Sequence, residues 1–194
     1  MLASWLPCNK KVKMETTNMN KKSFLTIFLL LLLPGLSLAH GPSRQKVEKT
    51  VEINASPEKV WSIISEYCAI SDWHPMIDKC ESDGGNEVKT IRTLTLGNGE
   101  LLREELLKYN PEKMMYQYMF KEPNLKAVPV SSYGSTIMVK PGENGGAILI
   151  WKSGFYRGYM NNDPPPELND EAAVAAVTAV YEAGMASIKE LAEK

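Results

Sequence analysis

The chain has 194 residues, with 22 basic and 23 acidic side chains and a formal net charge of −1. No basic stripe of the kind that draws phosphate backbones is visible, which argues against nucleic acid as a partner. Two histidines, three cysteines and the lack of any CxxC or HExxH spacing give no basis for a metal centre or a cofactor.

Near the start, Lys21 and Lys22 precede a continuous apolar run from Phe24 to Leu33, followed by Pro34-Gly35 and Ser37-Leu38-Ala39. Charge, apolar core and small-x-small make the order of a secretory signal peptide cleaved after Ala39. The apolar run is short of the ~20 residues that a bilayer core requires, so the mature form is expected to have no membrane span. Met14 or Met19 would be a more ordinary start than Met1. Removal of residues 1–39 takes five of the 22 basic residues and one of the 23 acidic ones, leaving 17 against 22, a net of −5. The 155 residues that remain, 40–194, suit a single domain with a real core.

Val47, Thr50 or Val51, and Ile53 recur among Glu48, Lys49 and Glu52 with near two-residue spacing, which predicts a half-buried strand. Ser56 can accept from the first free amides of a helix. Pro57, at its first position, gives up only a donor that would have had no partner. Val60, Trp61, Ile64 and Tyr67 then share one helical face, ahead of a Trp73-His74-Pro75 break. Cys8 leaves with the signal peptide; Cys68 and Cys80 stay in a compartment that permits disulfides, either as one bridge or as two half-buried thiols.

Beyond the break, six further strands are separated by turn chemistry. Met76 to Ser82 ends at Asp83-Gly84-Gly85, Glu87 to Leu96 at Gly97-Asn98-Gly99, and Glu100 to Tyr109 at Asn110-Pro111-Glu112. Lys113 to Lys121, Val130 to Val139 and Ala147 to Tyr156 supply the rest. Tyr159 to Leu168, with three consecutive prolines, reads as a rigid non-helical linker. Asp170 can cap a long helix from Glu171 to the end, with Val174, Val177, Tyr181, Met185, Ile188 and Leu191 or Ala192 on one face. Gly184, which costs up to ~1 kcal/mol in a helix interior, marks a point where that helix crosses something bulky. Consecutive hairpins make an antiparallel sheet, and so long an amphipathic helix needs a concave apolar face to cover. The fold class is therefore α+β: a seven-stranded curved antiparallel sheet wrapped around a long C-terminal helix, with short helices after the first strand.

The run Val51-Glu52-Ile53-Asn54-Ala55-Ser56-Pro57-Glu58-Lys59-Val60-Trp61, followed by Trp73-His74-Pro75, resembles the opening of helix-grip proteins of the START-like (SRPBCC), polyketide cyclase/dehydrase superfamily. Val88-x-x-x-Arg92-x-Leu94-x-Leu96 with Gly99 and Glu104, Val128-Pro129-Val130-x-x-Tyr133 and Ile150-Trp151-x-x-x-Phe155 follow the pattern of its bacterial members. The resemblance covers essentially the whole of residues 40–194. With export, it points to a periplasmic protein similar to the MxaD-type accessory proteins of methanol oxidation, which assist methanol dehydrogenase and its cytochrome partner.

The resemblance implies a ligand cavity, with no cofactor, for a small apolar or amphipathic molecule. Strand parity nominates its walls: Arg92, Leu94 and Leu96 on one strand, Glu104 on the next, then Tyr118 with Phe120 and Tyr133 with Ser135. Asp78, Trp151, Val177, Tyr181 and Met185 would complete the enclosure. The same alternation also describes plain core. If Arg92 and Glu104 face inward they must pair or meet a polar ligand, because burying either alone costs several kcal/mol; facing outward they would form a solvated pair worth under ~1 kcal/mol. Leu94 and Leu96 beside Arg92 favour the inward arrangement.

No nucleophile elbow and no histidine with an orienting acid is present, so a non-catalytic binding or accessory protein is the first functional reading. His74, in its turn, is expected to be exposed or to pack a loop. The second reading is a cyclase or aromatase in which an inward acid, Glu104 above all, acts as general acid or base. The third is a surface interaction module using the Pro123–Pro129 loop and the Asn161–Pro166 linker.

Overall fold

The computed structural model describes residues 41–194; the expected signal peptide and its cleavage point lie outside the described residues. Strand β1 (Gln45–Ile53) leads into α1 (Pro57–Ile64), a single turn α2 (Ile70–Trp73), strands β2 (Ile77–Ser82), β3 (Ile91–Leu96), β4 (Leu101–Asn110), β5 (Met115–Phe120), β6 (Val130–Pro141) and β7 (Ala147–Arg157), and the long helix α3 (Asp170–Glu193). One antiparallel sheet holds all seven strands in the order β1-β7-β6-β5-β4-β3-β2. Hairpins link β2 through β7 in sequence, and β1 returns to pair with β7, so the crossover through α1 and α2 leaves β1 and β2 as opposite edges. The sheet curves around α3 as a helix-grip fold.

The local rules work where the chemistry is short-range. Ser56 caps α1, its Oγ accepting from the Lys59 N–H at 3.2 Å, with Pro57 at the first helical position. Val60 and Ile64 of that helix are completely buried, each contributing on the order of 1.5–3 kcal/mol of burial. Most strand ends shift by one or two residues from the sequence reading, and two boundaries differ for a clear local reason. β3 begins at Ile91 rather than Glu87, because Glu87 to Thr90 close a turn with Lys89 at φ 79°. The cap of α3 is Asn169, whose Oδ1 accepts from the Ala172 N–H at 2.8 Å; Asp170 is the first helical residue and carries its charge in the first turn, where the helix dipole favours it.

Helix α3 lays Ala173, Val177, Tyr181, Gly184, Met185, Ile188 and Ala192 against the sheet. Gly184 is the crossing point: a Cβ there would stand 2.8 Å from the rings of both His74 and Trp151. Cys68 and Cys80 form a disulfide with their Cα atoms 5.6 Å apart, tying the segment between α1 and α2 to β2.

Candidate functional site

Concave-face residues of the middle strands, α2 and the middle of α3 line a partly open apolar cavity of about 70 Å³. Its walls include Leu94 from β3, Glu104 from β4, Tyr118 and Phe120 from β5, Tyr133 from β6, Trp151 from β7 and Val177 from α3. Strand register explains the grouping. Leu94 pairs with Leu102, Glu104 with Phe120 and Tyr118 with Ser135, so these side chains share the inner face.

Arg92 and Glu104 are paired across β3 and β4 and both are buried. Arg92 Nε donates to Glu104 Oε2 at 2.7 Å, Nη2 lies 2.6 Å from the same oxygen, and Nη1 donates to the Tyr67 carbonyl. The guanidinium carbon also sits 4.0 Å from the centre of the Tyr67 ring, a favourable cation–π distance. Only Glu104 of the pair reaches the cavity; Arg92 lies behind it. No hydrogen bond from the described residues reaches Glu104 Oε1. Burial pushes the Glu104 carboxyl above the ordinary glutamate value, and the adjacent guanidinium opposes that push.

Behind Trp151 runs a chain of polar contacts. Tyr133 and Tyr181 share a hydroxyl contact at 2.8 Å, Tyr181 meets Ser135 Oγ at 2.7 Å, and Trp151 Nε1 donates to both Ser135 Oγ and Tyr118 OH at 3.1 Å. The Tyr181 ring stacks on Trp151, with centroids 4.4 Å apart and planes 14° apart. Desolvation raises the Tyr181 hydroxyl to about 12 and pushes those of Tyr118 and Tyr133 well above the ordinary tyrosine value, so all three remain protonated at neutral pH. Ser135 and Tyr181 therefore support the wall without lining it, and Met185 is buried further along α3.

Asp78 was expected in the enclosure and is exposed instead. β2 carries an irregularity between Ile77 and Lys79, so Ile77 faces the cavity and Asp78 turns out. His74 differs in the other direction: it is 2% exposed and lines the cavity. Its Nε2 donates to the Val180 carbonyl at 3.0 Å and its Nδ1 accepts from the Met76 N–H at 3.2 Å, which fixes a neutral tautomer. Burial lowers its pKa to about 4. Leu102, two residues before Glu104, could have been found by strand parity; Ala127 and Val128 come from a loop whose sequence carries no such signal.

Among the described residues no group of three or more His, Cys, Asp or Glu is placed to hold a metal ion, and no helix is long and apolar enough to cross a membrane. A second, more open groove of about 450 Å³ lies on the outer face, where Lys46, Gln117, Thr136 and Lys152 project.

A family model described as polyketide cyclase/dehydrase and lipid transport matches residues 44–193. No curated protein matches the chain significantly. Among solved structures, the protein XoxI from Bacillus cereus is similar with a TM-score of 0.64 and 27% identity, over 76% of this chain and 94% of that one. An uncharacterised protein from Bacillus thuringiensis gives 0.63 and 27%, over 75% and 97%. Norcoclaurine synthase from Thalictrum flavum, solved with dopamine and hydroxybenzaldehyde, gives 0.60 and 19%, over 82% and 94%; at that identity the likeness concerns the fold alone.

Proposed function

Because the chain belongs to the polyketide cyclase/dehydrase and lipid transport family, we propose that it is an exported, periplasmic binding protein whose cavity under α3 takes a small apolar or amphipathic ligand. On this reading residues 1–39 are the cleaved signal peptide, 40–194 are one mature domain, and the protein acts as an MxaD-type accessory of methanol dehydrogenase or its cytochrome. The Cys68–Cys80 bridge supports export, because such bonds persist in oxidising compartments.

The observation that carries the binding role is the cavity's chemistry: aliphatic and aromatic walls with a few polar groups, Glu104 and His74 among them, the usual make-up of a small-molecule site. Its size sets a limit. An apolar cavity of roughly 150 Å³ holds benzene, so about 70 Å³ takes a head of a few heavy atoms, the remainder leaving past Met76, which is 43% exposed. Non-catalytic binding fits the pairing of Glu104 with Arg92, which ties up the one acid in the cavity. A cyclase or aromatase reading is favoured by one fact, that this acid faces the cavity with a pKa raised by burial.

Isolation of the protein from its own periplasm, followed by native mass spectrometry, tests the proposal. A small bound molecule and co-purifying methanol dehydrogenase are expected. A bare protein that holds neither would contradict it, and turnover of a polyketide-like substrate that disappears in Glu104→Gln would favour the enzyme.

A further inference from the structure

The cavity's polar groups can be counted by what each already does. His74 uses both ring nitrogens on backbone groups, accepting from Met76 and donating to Val180. The Tyr133 hydroxyl is taken by Tyr181, and the Tyr118 hydroxyl accepts from Trp151. Glu104 Oε2 receives Nε of Arg92 and lies against Nη2, while Nη1 of Arg92 is spent on Tyr67. Of the side-chain oxygens that line the cavity, Glu104 Oε1 has no hydrogen bond among the described residues; it belongs to a residue 4% exposed, in a space walled largely by Leu94, Tyr118, Phe120 and Val177. A carboxylate oxygen can only accept.

We infer that the ligand of this cavity is a neutral molecule that donates one hydrogen bond to Glu104 Oε1, an alcohol or similar hydroxyl compound, and that carboxylic acids are rejected. The inference rests on the cavity being a ligand site and adds the chemistry of the head group. Three candidate heads meet different fates. An anionic head would bring like charge against Glu104 in a largely apolar space, with the balancing guanidinium on the far side of that carboxylate. An ammonium would find an acceptor and aromatic faces, yet Arg92 already neutralises Glu104, so the enclosure would carry an unbalanced positive charge away from water. A hydroxyl satisfies the free oxygen and leaves the buried pair neutral overall. It also gains a charge-assisted hydrogen bond, stronger than one between neutral groups.

Three four-carbon probes that differ only in the head separate these cases: 1-butanol, butylammonium and butyrate, titrated at pH 7 into the secreted protein while methyl resonances are followed by NMR. 1-Butanol is expected to shift the methyls of Leu94, Leu102 and Val177, with a Kd at least tenfold below that of butyrate and below that of butylammonium. In Glu104→Gln, whose amide can also donate, the preference over butyrate is expected to shrink below about threefold; if that variant does not fold, the comparison on the unaltered protein still decides. Butyrate or butylammonium binding at these methyls as tightly as the alcohol would overturn the head-group assignment and leave the cavity as a ligand site. No shift from any probe would overturn the ligand-site reading together with it.

Discussion

Arg92 and Glu104 stand opposite each other on β3 and β4, withdrawn from solvent, and the guanidinium spans from the Glu104 carboxylate to the Tyr67 carbonyl. That places a strand-to-strand ion pair and a strand-to-loop contact on one side chain. Removing either charge alone, by Arg92→Leu or Glu104→Leu, should cost about 3–5 kcal/mol, because the remaining charge is buried without its partner. The double substitution should cost far less than the sum. Urea denaturation of the four proteins gives the coupling directly, and additive losses would show that the pair does not act as a unit.

Gly184→Ala should destabilise the protein although alanine is the better helix former. The helix gains up to ~1 kcal/mol, but the new methyl would meet the His74 and Trp151 rings at 2.8 Å. Overpacking of that kind costs about 1–3 kcal/mol. A lowered thermal midpoint with altered tryptophan fluorescence is expected; a raised midpoint would mean that α3 can lift off at no cost.

His74 makes the fold acid-sensitive. Its folded-state value of about 4 lies below its ordinary 6.5, so the folded state favours the neutral ring. The stability this contributes is complete above pH 6.5 and is lost as the pH falls through 4, amounting to about 3 kcal/mol. Urea midpoints measured from pH 7 to 4 should fall more steeply for the unaltered protein than for His74→Gln. Parallel curves would show that His74 titrates normally.

The disulfide should matter beyond its loop. Cys68 follows Tyr67, whose carbonyl accepts from Arg92, and Cys80 pairs in register with Leu94 on the cavity wall. For a loop of 12 residues the chain-entropy estimate is about 3 kcal/mol. Cys68→Ser with Cys80→Ser should lose stability of that order and loosen ligand binding at Leu94; an unchanged denaturation midpoint would contradict this.

The architecture was legible because each element announces itself locally: Ser56-Pro57 starts α1, the Gly- and Asn-rich turns separate the strands, and the spacing of Val177, Tyr181, Met185 and Ile188 phases α3. Parity also put Tyr118 and Phe120 on one face, whereas for Arg92 and Glu104 it left an inward pair and an outward one both open, the apolar Leu94 and Leu96 favouring the inward one. It failed at Asp78, where an irregularity in β2 breaks the two-residue rhythm. The full burial of His74 is hidden from local sequence for a different reason. Its burial depends on α3 passing over it at Gly184, a contact between residues more than a hundred positions apart. The separation of lining residues from supporting ones, Tyr118 and Tyr133 against Ser135 and Tyr181, likewise depends on packing that no local pattern encodes.

The claim that ligand binds beneath α3 is tested most directly by methyl- and amide-resolved NMR of the protein before and after addition of 1-butanol. The predicted result is a set of changes concentrated at Leu94, Leu102, Val128 and Val177, around the cavity. Changes confined to Lys46, Gln117, Thr136 and Lys152, around the outer groove, would contradict it.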